Sequence, residues 1–437
     1  MIGVRYSYGT SFYRRLILAV FLGFAFSTIL IAGKYWIDNF SQQTGLALSD
    51  EMPVGGDFLA FYNAGRLLAK DPARLYDFSV QWDEQRELFK SYPKIAESPL
   101  PFIYPPLVAV PFSYLSKLEF VQAYKILAVV GILIYTISIW LLSSTLTKSL
   151  RERMLILIVG LGFSPFLTLS ILSGHLSFIG VFTLSIFFRL RKTGFRFLSG
   201  LVLSLSYYKP PLFLVFILFL VLQRDFRLLS GFVLGGAVLT ALSIGVLGLD
   251  GMVTYLEQLP KYRFGSEVNP GIVFIPKQSS GLLGAISVLL PGQYAFARGI
   301  FFAVGALIIW FSAPALKMGL KGPESDIYNL QFALQVSLSL LLSLQMVDYD
   351  LAYLIVPVIL VGNYLFKSVS NINLVYYSLV LLMVYSGWSF IYLLPQSYES
   401  ACSAALLCIF SILIFALLNR SRYELEACSN DVMPIPL

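Results

Sequence analysis

The stretch RRLILAVFLGFAFSTILIAG, residues 14–33, places two arginines before an unbroken apolar run from Leu16 to Gly33. A helix needs about 20 apolar residues to cross the hydrocarbon core of a bilayer, so this run predicts a membrane span. It is longer than the apolar part of a signal peptide and no small-x-small cleavage site accompanies it, so the span is read as uncleaved. Similar runs recur at about 119–147, 154–172, 176–190, 196–208, 211–223, 228–248, 294–316, 327–346, 351–367, 372–394 and 401–419. The expectation is an all-α polytopic membrane protein with about twelve transmembrane helices.

Composition agrees. Only 13% of the 437 residues are charged, against about 25% in soluble domains, and the mean hydropathy is +0.77. A large soluble enzyme, a disordered chain and a disulfide scaffold are excluded. The 36 Phe and 26 Tyr suit helix ends at membrane interfaces. The net charge of +7 comes from short basic clusters between apolar runs, which reads as a topology signal and not as a nucleic-acid surface. Cys402 and Cys408 share one apolar segment and Cys428 is in the tail; that is neither a disulfide framework nor a metal spacing.

With a cytoplasmic N-terminus, the inner connections contain Lys148, Arg151 and Arg153, then Arg189, Arg191, Lys192 and Arg196, then Arg224 and Arg227, then Lys317 and Lys321. The short outer turns at 173–175, 347–350 and 395–400 contain no Lys or Arg. This positive-inside bias puts both termini in the cytoplasm. The chain then reads as a single integral membrane domain, 1–437, with two long outer segments, 34–118 and 249–293. In the first, Phe58, Phe61, Tyr62, Gly65 and Leu68 follow helical spacing, suggesting an amphipathic helix on the membrane surface; a second such piece is expected from Pro106 to Leu118.

Ionisable groups are scarce in the spans, so those at their outer rim are informative. Asp57, His175, Lys209, Asp348 and Asp350 all fall there under this topology. Asp57, in Gly55-Gly56-Asp57-Phe58, suits a helix N-cap, although Ala60 occupies the capping-box position; it equally suits a general base. Lys209 precedes Pro210-Pro211, which break the helix and direct its ammonium to the outer interface, where it snorkels or binds an anionic head group such as phosphate. His175, the only histidine, is either an interfacial polar residue or a donor to phosphate; alone it cannot build a histidine-based zinc site. Asp348 and Asp350 are two apart, so in a helical context only one carboxylate points into any cleft; they pair with Lys209 or Arg263, orient a sugar hydroxyl, or stand in a solvated turn. Tyr104-Pro105-Pro106 reads as a helix start. Lys261, Tyr262 and Arg263 read as a charged loop or a phosphate hold.

Gly56-Asp57-Phe58, followed by Phe61-Tyr62-Asn63-Ala64-Gly65 and Leu75-Tyr76-Asp77, resembles the first outer loop of glycosyltransferase family 87, the polyprenyl-phosphate-dependent mannosyltransferase-like proteins of the GT-C fold. Tyr104-Pro105-Pro106, Gly200-Leu201, Tyr208-Lys209-Pro210 and Asp348-Tyr349-Asp350-Leu351 follow in the family's order, over roughly residues 50–365. His175 stands where glutamine is commoner, and Gln345-Met346 where Ser-Pro or Thr-Pro is frequent. The resemblance implies an inverting transfer of a mannose-like hexose from a polyprenyl-phosphate donor to a glycolipid or glycan acceptor, at the outer face of a bacterial inner membrane. It implies Asp57 as the base, with Tyr104, His175, Tyr208, Lys209, Arg263, Asp348 and Asp350 as candidate substrate contacts; cations such as Lys209 could stabilise the leaving phosphate without a metal or cofactor. A lipid-linked-saccharide transporter or flippase is the main competing reading; it predicts internal repeats and midplane ionisable groups, and neither is visible. A scaffold in an envelope-assembly complex is the third.

Overall fold

A computed structural model describes residues 5–41, 45–264, 279–317, 326–369, 371–391 and 396–430. It is almost wholly helical, and the only sheet among the described residues is the two-strand pair β1 (Ala47–Ser49) and β2 (Met52–Pro53). The helices are α1 (Arg5–Trp36), α2 (Phe58–Lys70), α3 (Phe78–Leu88), α4 (Pro93–Ala96), α5 (Pro106–Leu115), α6 (Phe120–Leu146), α7 (Leu150–Leu161), α8 (Ser177–Lys192) and α9 (Arg196–Leu203). They continue with α10 (Pro210–Leu222), α11 (Phe226–Phe264), α12 (Leu282–Leu289), α13 (Tyr294–Lys317), α14 (Asp326–Leu341), α15 (Ile355–Ser368), α16 (Asn371–Ile391) and α17 (Gln396–Asn430).

Seven segments among the described residues are long and apolar enough to cross a membrane: α1, α6, α11, α13, α15 with its preceding turn, α16 and α17. The chain is therefore an all-α membrane protein. The other expected spans correspond to shorter helices, for local reasons. Pro165 opens a wide-turn segment, Pro165–Ser170, after α7. The 3₁₀ turn Ser204–Tyr208 follows α9, and Lys209-Pro210 separates it from α10, since a residue before proline leaves the helical region. Gly248, at φ 74° and ψ 176°, breaks α11 where the second outer segment was expected to begin.

Close packing sets the frame. A Cβ on Gly200 would fall 1.9 Å from the Leu228 carbonyl oxygen, and one on Gly231 2.1 Å from that of Phe197, so α9 and α11 touch backbone to backbone, as small residues allow in membrane bundles. Every residue of α14 from Tyr328 to Leu341 is buried, and α14 packs against α15 and α17. The first outer segment differs from expectation. Instead of lying on a surface with one wet face, α2 is buried at every position from Phe58 to Gly65 and again at Leu67. It is roofed by α5, with Gly65 so close to the Phe112 carbonyl that a Cβ would sit 2.2 Å away. The expected helix after Tyr104-Pro105 does form, as α5.

Candidate active site

Two glycine turns meet beneath the start of α2. Gly55 and Gly56 have φ of +73° and +46°, and Gly174 has φ of +61°, values that cost a side-chain-bearing residue about 1–2 kcal/mol. A Cβ on Gly174 would also lie 2.5 Å from that of Phe58. The Phe58 N–H donates to the carbonyls of Gly55 (2.8 Å) and Ser173 (3.3 Å). This seam brings Asp57, from the first outer segment, next to the turn that carries His175.

Asp57 precedes α2 but makes no side-chain capping bond. Its half-buried carboxylate instead takes a hydrogen bond from the Tyr349 hydroxyl. Burial pushes its pKa above the ordinary carboxylate value, opposed by the Tyr349 bond and the Lys209 charge. Asp57, Phe61, Tyr104, Tyr208, Lys209, Tyr255, Tyr262, Gln345 and Tyr349 line one cavity of about 360 Å³, with Leu214, Leu259 and Leu344 completing its apolar part.

Behind the cavity wall the polar groups form a chain. Lys209 Nζ donates to both oxygens of Asp350, at 2.8 and 2.7 Å, and the Val347 N–H donates to Asp350 Oδ2 at 3.0 Å. Lys209 is 6% exposed and Asp350 0%, so this is a buried pair that must be matched to exist. The ammonium also stands 4.7 Å from the centroid of the Tyr349 ring, and the His175 imidazole stacks on that ring at 3.6 Å and 20°.

The histidine tautomer follows from its neighbours. Ser177 Oγ can only donate to the Tyr349 carbonyl, 2.9 Å away, which uses its one proton. It must therefore accept from His175 Nδ1, at 2.9 Å, leaving Nε2 to accept from the Tyr104 hydroxyl at 2.7 Å. Burial and the Lys209 charge hold the His175 pKa well below its ordinary value, consistent with this neutral ring. Burial, then the negative charges of Asp57 and Asp350, raise the Tyr104 pKa, keeping the phenol protonated. The Tyr76 hydroxyl anchors the Tyr104 carbonyl at 2.6 Å, while Asp77 caps α3 by accepting from the Ser79 N–H at 3.0 Å.

The candidate residues thus divide. Asp57, Tyr104, Tyr208 and Lys209 line the cavity. His175, 1% exposed, and Asp350 do not line it; they sit behind Tyr104, Tyr349 and Lys209. Asp348 is turned away as well and accepts a hydrogen bond from Ser280. In the 3₁₀ turn Asp348–Leu354 it is Tyr349 that faces the cavity. The Arg263 side chain lies outside the described residues. Tyr349, Tyr255 and Gln345 are the lining residues that sequence reasoning passed over. Tyr349 sat inside a motif read for its carboxylates, and Gln345 was noticed only as a departure from pattern.

Fold and cavity define an integral membrane protein with an acid, one ion-paired lysine and a ring of tyrosines collected at one end of its bundle. The model of glycosyltransferase family 87 matches residues 102–343. That is more than half of the chain, which therefore belongs to this family and is a membrane glycosyltransferase. Tyr104, His175, Tyr208 and Lys209 lie within the matched stretch; Asp57 and Asp350 lie outside it. No curated protein and no solved structure matches the chain.

Proposed function

We propose that the protein transfers a mannose-like hexose from a polyprenyl-phosphate carrier to a hydroxyl of a glycolipid or glycan, with inversion, and that Asp57 is the general base. The observation that carries this reading is the Asp57 carboxylate: free of any capping role, basic through burial, and open to a cavity shared with Lys209. The acceptor oxygen attacks the anomeric carbon and its proton passes to Asp57. The bond from that carbon to the phosphate oxygen breaks, and polyprenyl phosphate leaves with the electron pair. Two of the three Lys209 donor hydrogens are engaged by Asp350; the third is positioned to donate to a phosphate oxygen, a charge-assisted bond where negative charge develops. Tyr104 and Tyr208 orient sugar hydroxyls. His175 and Asp350 act through Tyr104, Tyr349 and Lys209, and Asp348 through the segment around Ser280.

A lipid-borne donor is supported by Leu214, which lines the cavity yet is 57% exposed on the flank of α10; a polyprenyl tail can stay in the bilayer while its sugar enters there. The topology we propose has twelve crossings, the shorter helices α7 to α10 and α14 joining the seven long ones. Both termini are then cytoplasmic, and the cavity faces outward from a bacterial inner membrane, fed by the segments 34–118 and 249–293. The test compares envelope glycolipids and glycans by mass spectrometry in a null strain, the same strain with the wild-type gene, and the same strain with Asp57→Asn. Loss of one sugar, restored by wild type and not by Asp57→Asn at equal protein level, is the expected result. Full restoration by Asp57→Asn would move the transporter and scaffold readings ahead.

A further inference from the structure

At the other end of the bundle, two further cavities have no place in this chemistry. Lys367, near the end of α15, is 17 residues beyond Asp350 in the preceding turn, roughly 25 Å at about 1.5 Å per residue. There, an apolar slot of about 320 Å³ runs between α1, α7, α15 and α16, walled by Leu18, Phe21, Val159, Ile359, Phe366 and Leu381. Beside it is a polar vestibule of about 410 Å³ lined by Arg189, Lys192, Lys367, Asp326 and Asn329. The two share Asn363 and Lys367, so a polar and an apolar cavity adjoin at this face of α15.

The vestibule carries three cations against one carboxylate. Arg189 is held by the Ser144 hydroxyl at 2.7 Å, Lys367 by the Leu146 carbonyl at 3.0 Å, and Lys192 stands 5.5 Å over the Phe188 ring. The neighbouring Arg191 takes no part, being paired with Asp225 in a buried contact. Glu152, at the mouth of the slot, accepts from Thr147. Asp326 accepts from Asn329 Nδ2 at 3.5 Å and from the Ser368 hydroxyl at 3.1 Å.

We propose that this composite cavity binds a phosphatidylglycerol-type phospholipid, its phosphodiester on Arg189, Lys192 and Lys367 and one acyl chain in the slot. Charge complementarity selects an anionic head group, as basic pockets between membrane helices do. The Asp326 carboxylate beside the three cations selects a head group that also carries hydroxyl donors, which a phosphate monoester on a polyprenyl chain lacks when ionised. This site is independent of the reading of the Asp57 cavity.

The test uses full-length, delipidated protein in detergent, with binding read by native mass spectrometry and thermal shift. Dioleoyl phosphatidylglycerol, dioleoyl phosphatidylcholine, polyprenyl phosphate and soluble glycerol phosphate are compared. Phosphatidylglycerol is expected to bind with a preference of about 30-fold over phosphatidylcholine, the size expected for a few cations near one anionic head group. Arg189→Gln with Lys367→Gln should abolish that preference, and each single variant should weaken it about fivefold. Gly362 lines the slot, and a Cβ there would meet only Leu381 at 3.6 Å, so Gly362→Leu should fold yet weaken phosphatidylglycerol. Equal binding of the two diacyl lipids, or a preference that survives in the charge variants, would overturn the proposal. Tighter binding of polyprenyl phosphate, or competition by glycerol phosphate at equal concentration, would overturn it too.

Discussion

Asp57→Asn separates the base from the helix cap. The substitution keeps the side chain's shape, and Asn Oδ1 can still accept from the Tyr349 hydroxyl that Asp57 now engages. Asn and Asp are equivalent as N-caps, and the Asp57 side chain makes no capping bond to lose. Replacing a buried carboxylate by a neutral amide also relieves the desolvation that raises its pKa. Stability should therefore change by no more than about 1 kcal/mol. The rate should not be spared. A positioned general base contributes about 10²–10⁴-fold, or ~2.7–5.5 kcal/mol of barrier at ~1.36 kcal/mol per tenfold. The assay is transfer from a polyprenyl-phosphate sugar in purified, reconstituted protein, with thermal unfolding recorded on the same preparations. Activity of Asp57→Asn within about threefold of wild type, at an unchanged unfolding midpoint, would refute the reasoning.

Because Asp57 must be ionised to act and burial raises its pKa, kcat/KM should fall as pH drops through that pKa, with an acid limb above the ordinary value of about 3.9; a pH–rate profile measures it. Lys209→Met leaves Asp350 buried without its cation, a loss of about 3–5 kcal/mol visible in thermal unfolding. Lys209→Met with Asp350→Leu should recover most of that stability but not the activity. Gly174→Ala combines a left-handed backbone with a Cβ 2.5 Å from that of Phe58, so it should cost at least about 2 kcal/mol and lower transfer by displacing the turn against Asp57. Tyr104→Phe strips the donor from a buried His175 Nε2 and should cost about 1–3 kcal/mol in unfolding free energy.

The first outer segment and the motif Asp348-Tyr349-Asp350 illustrate where reading by spacing stops. A 3₁₀ turn sets successive side chains about 120° apart, so the direction of each depends on which turn forms. Here it points Tyr349 at the cavity, Asp350 at Lys209 and Asp348 at Ser280. Spacing alone expects residues two apart to diverge, with one carboxylate in a cleft. That neither carboxylate faces the cavity depended on partners 141 and 68 residues away in sequence. The amphipathic pattern of α2 likewise implied a face for water or lipid, and α5 covers it.

The sequence by itself determined the membrane class, the helical fold and the gathering of polar residues at one end. Each of these is a local quantity: the transfer free energy of a window of about 20 residues, a proline's missing donor, the sign of charge beside a span. It also supplied the order of motifs by which the family is recognised. Only the tertiary structure decided that Lys209 is neutralised by Asp350, that His175 supports Tyr104 and Tyr349 from behind, and that Asp57 leaves its helix uncapped to face the cavity. Those outcomes rest on contacts between residues far apart along the chain, whose energies exist only once packing has brought the two glycine turns and the ends of several helices to one place.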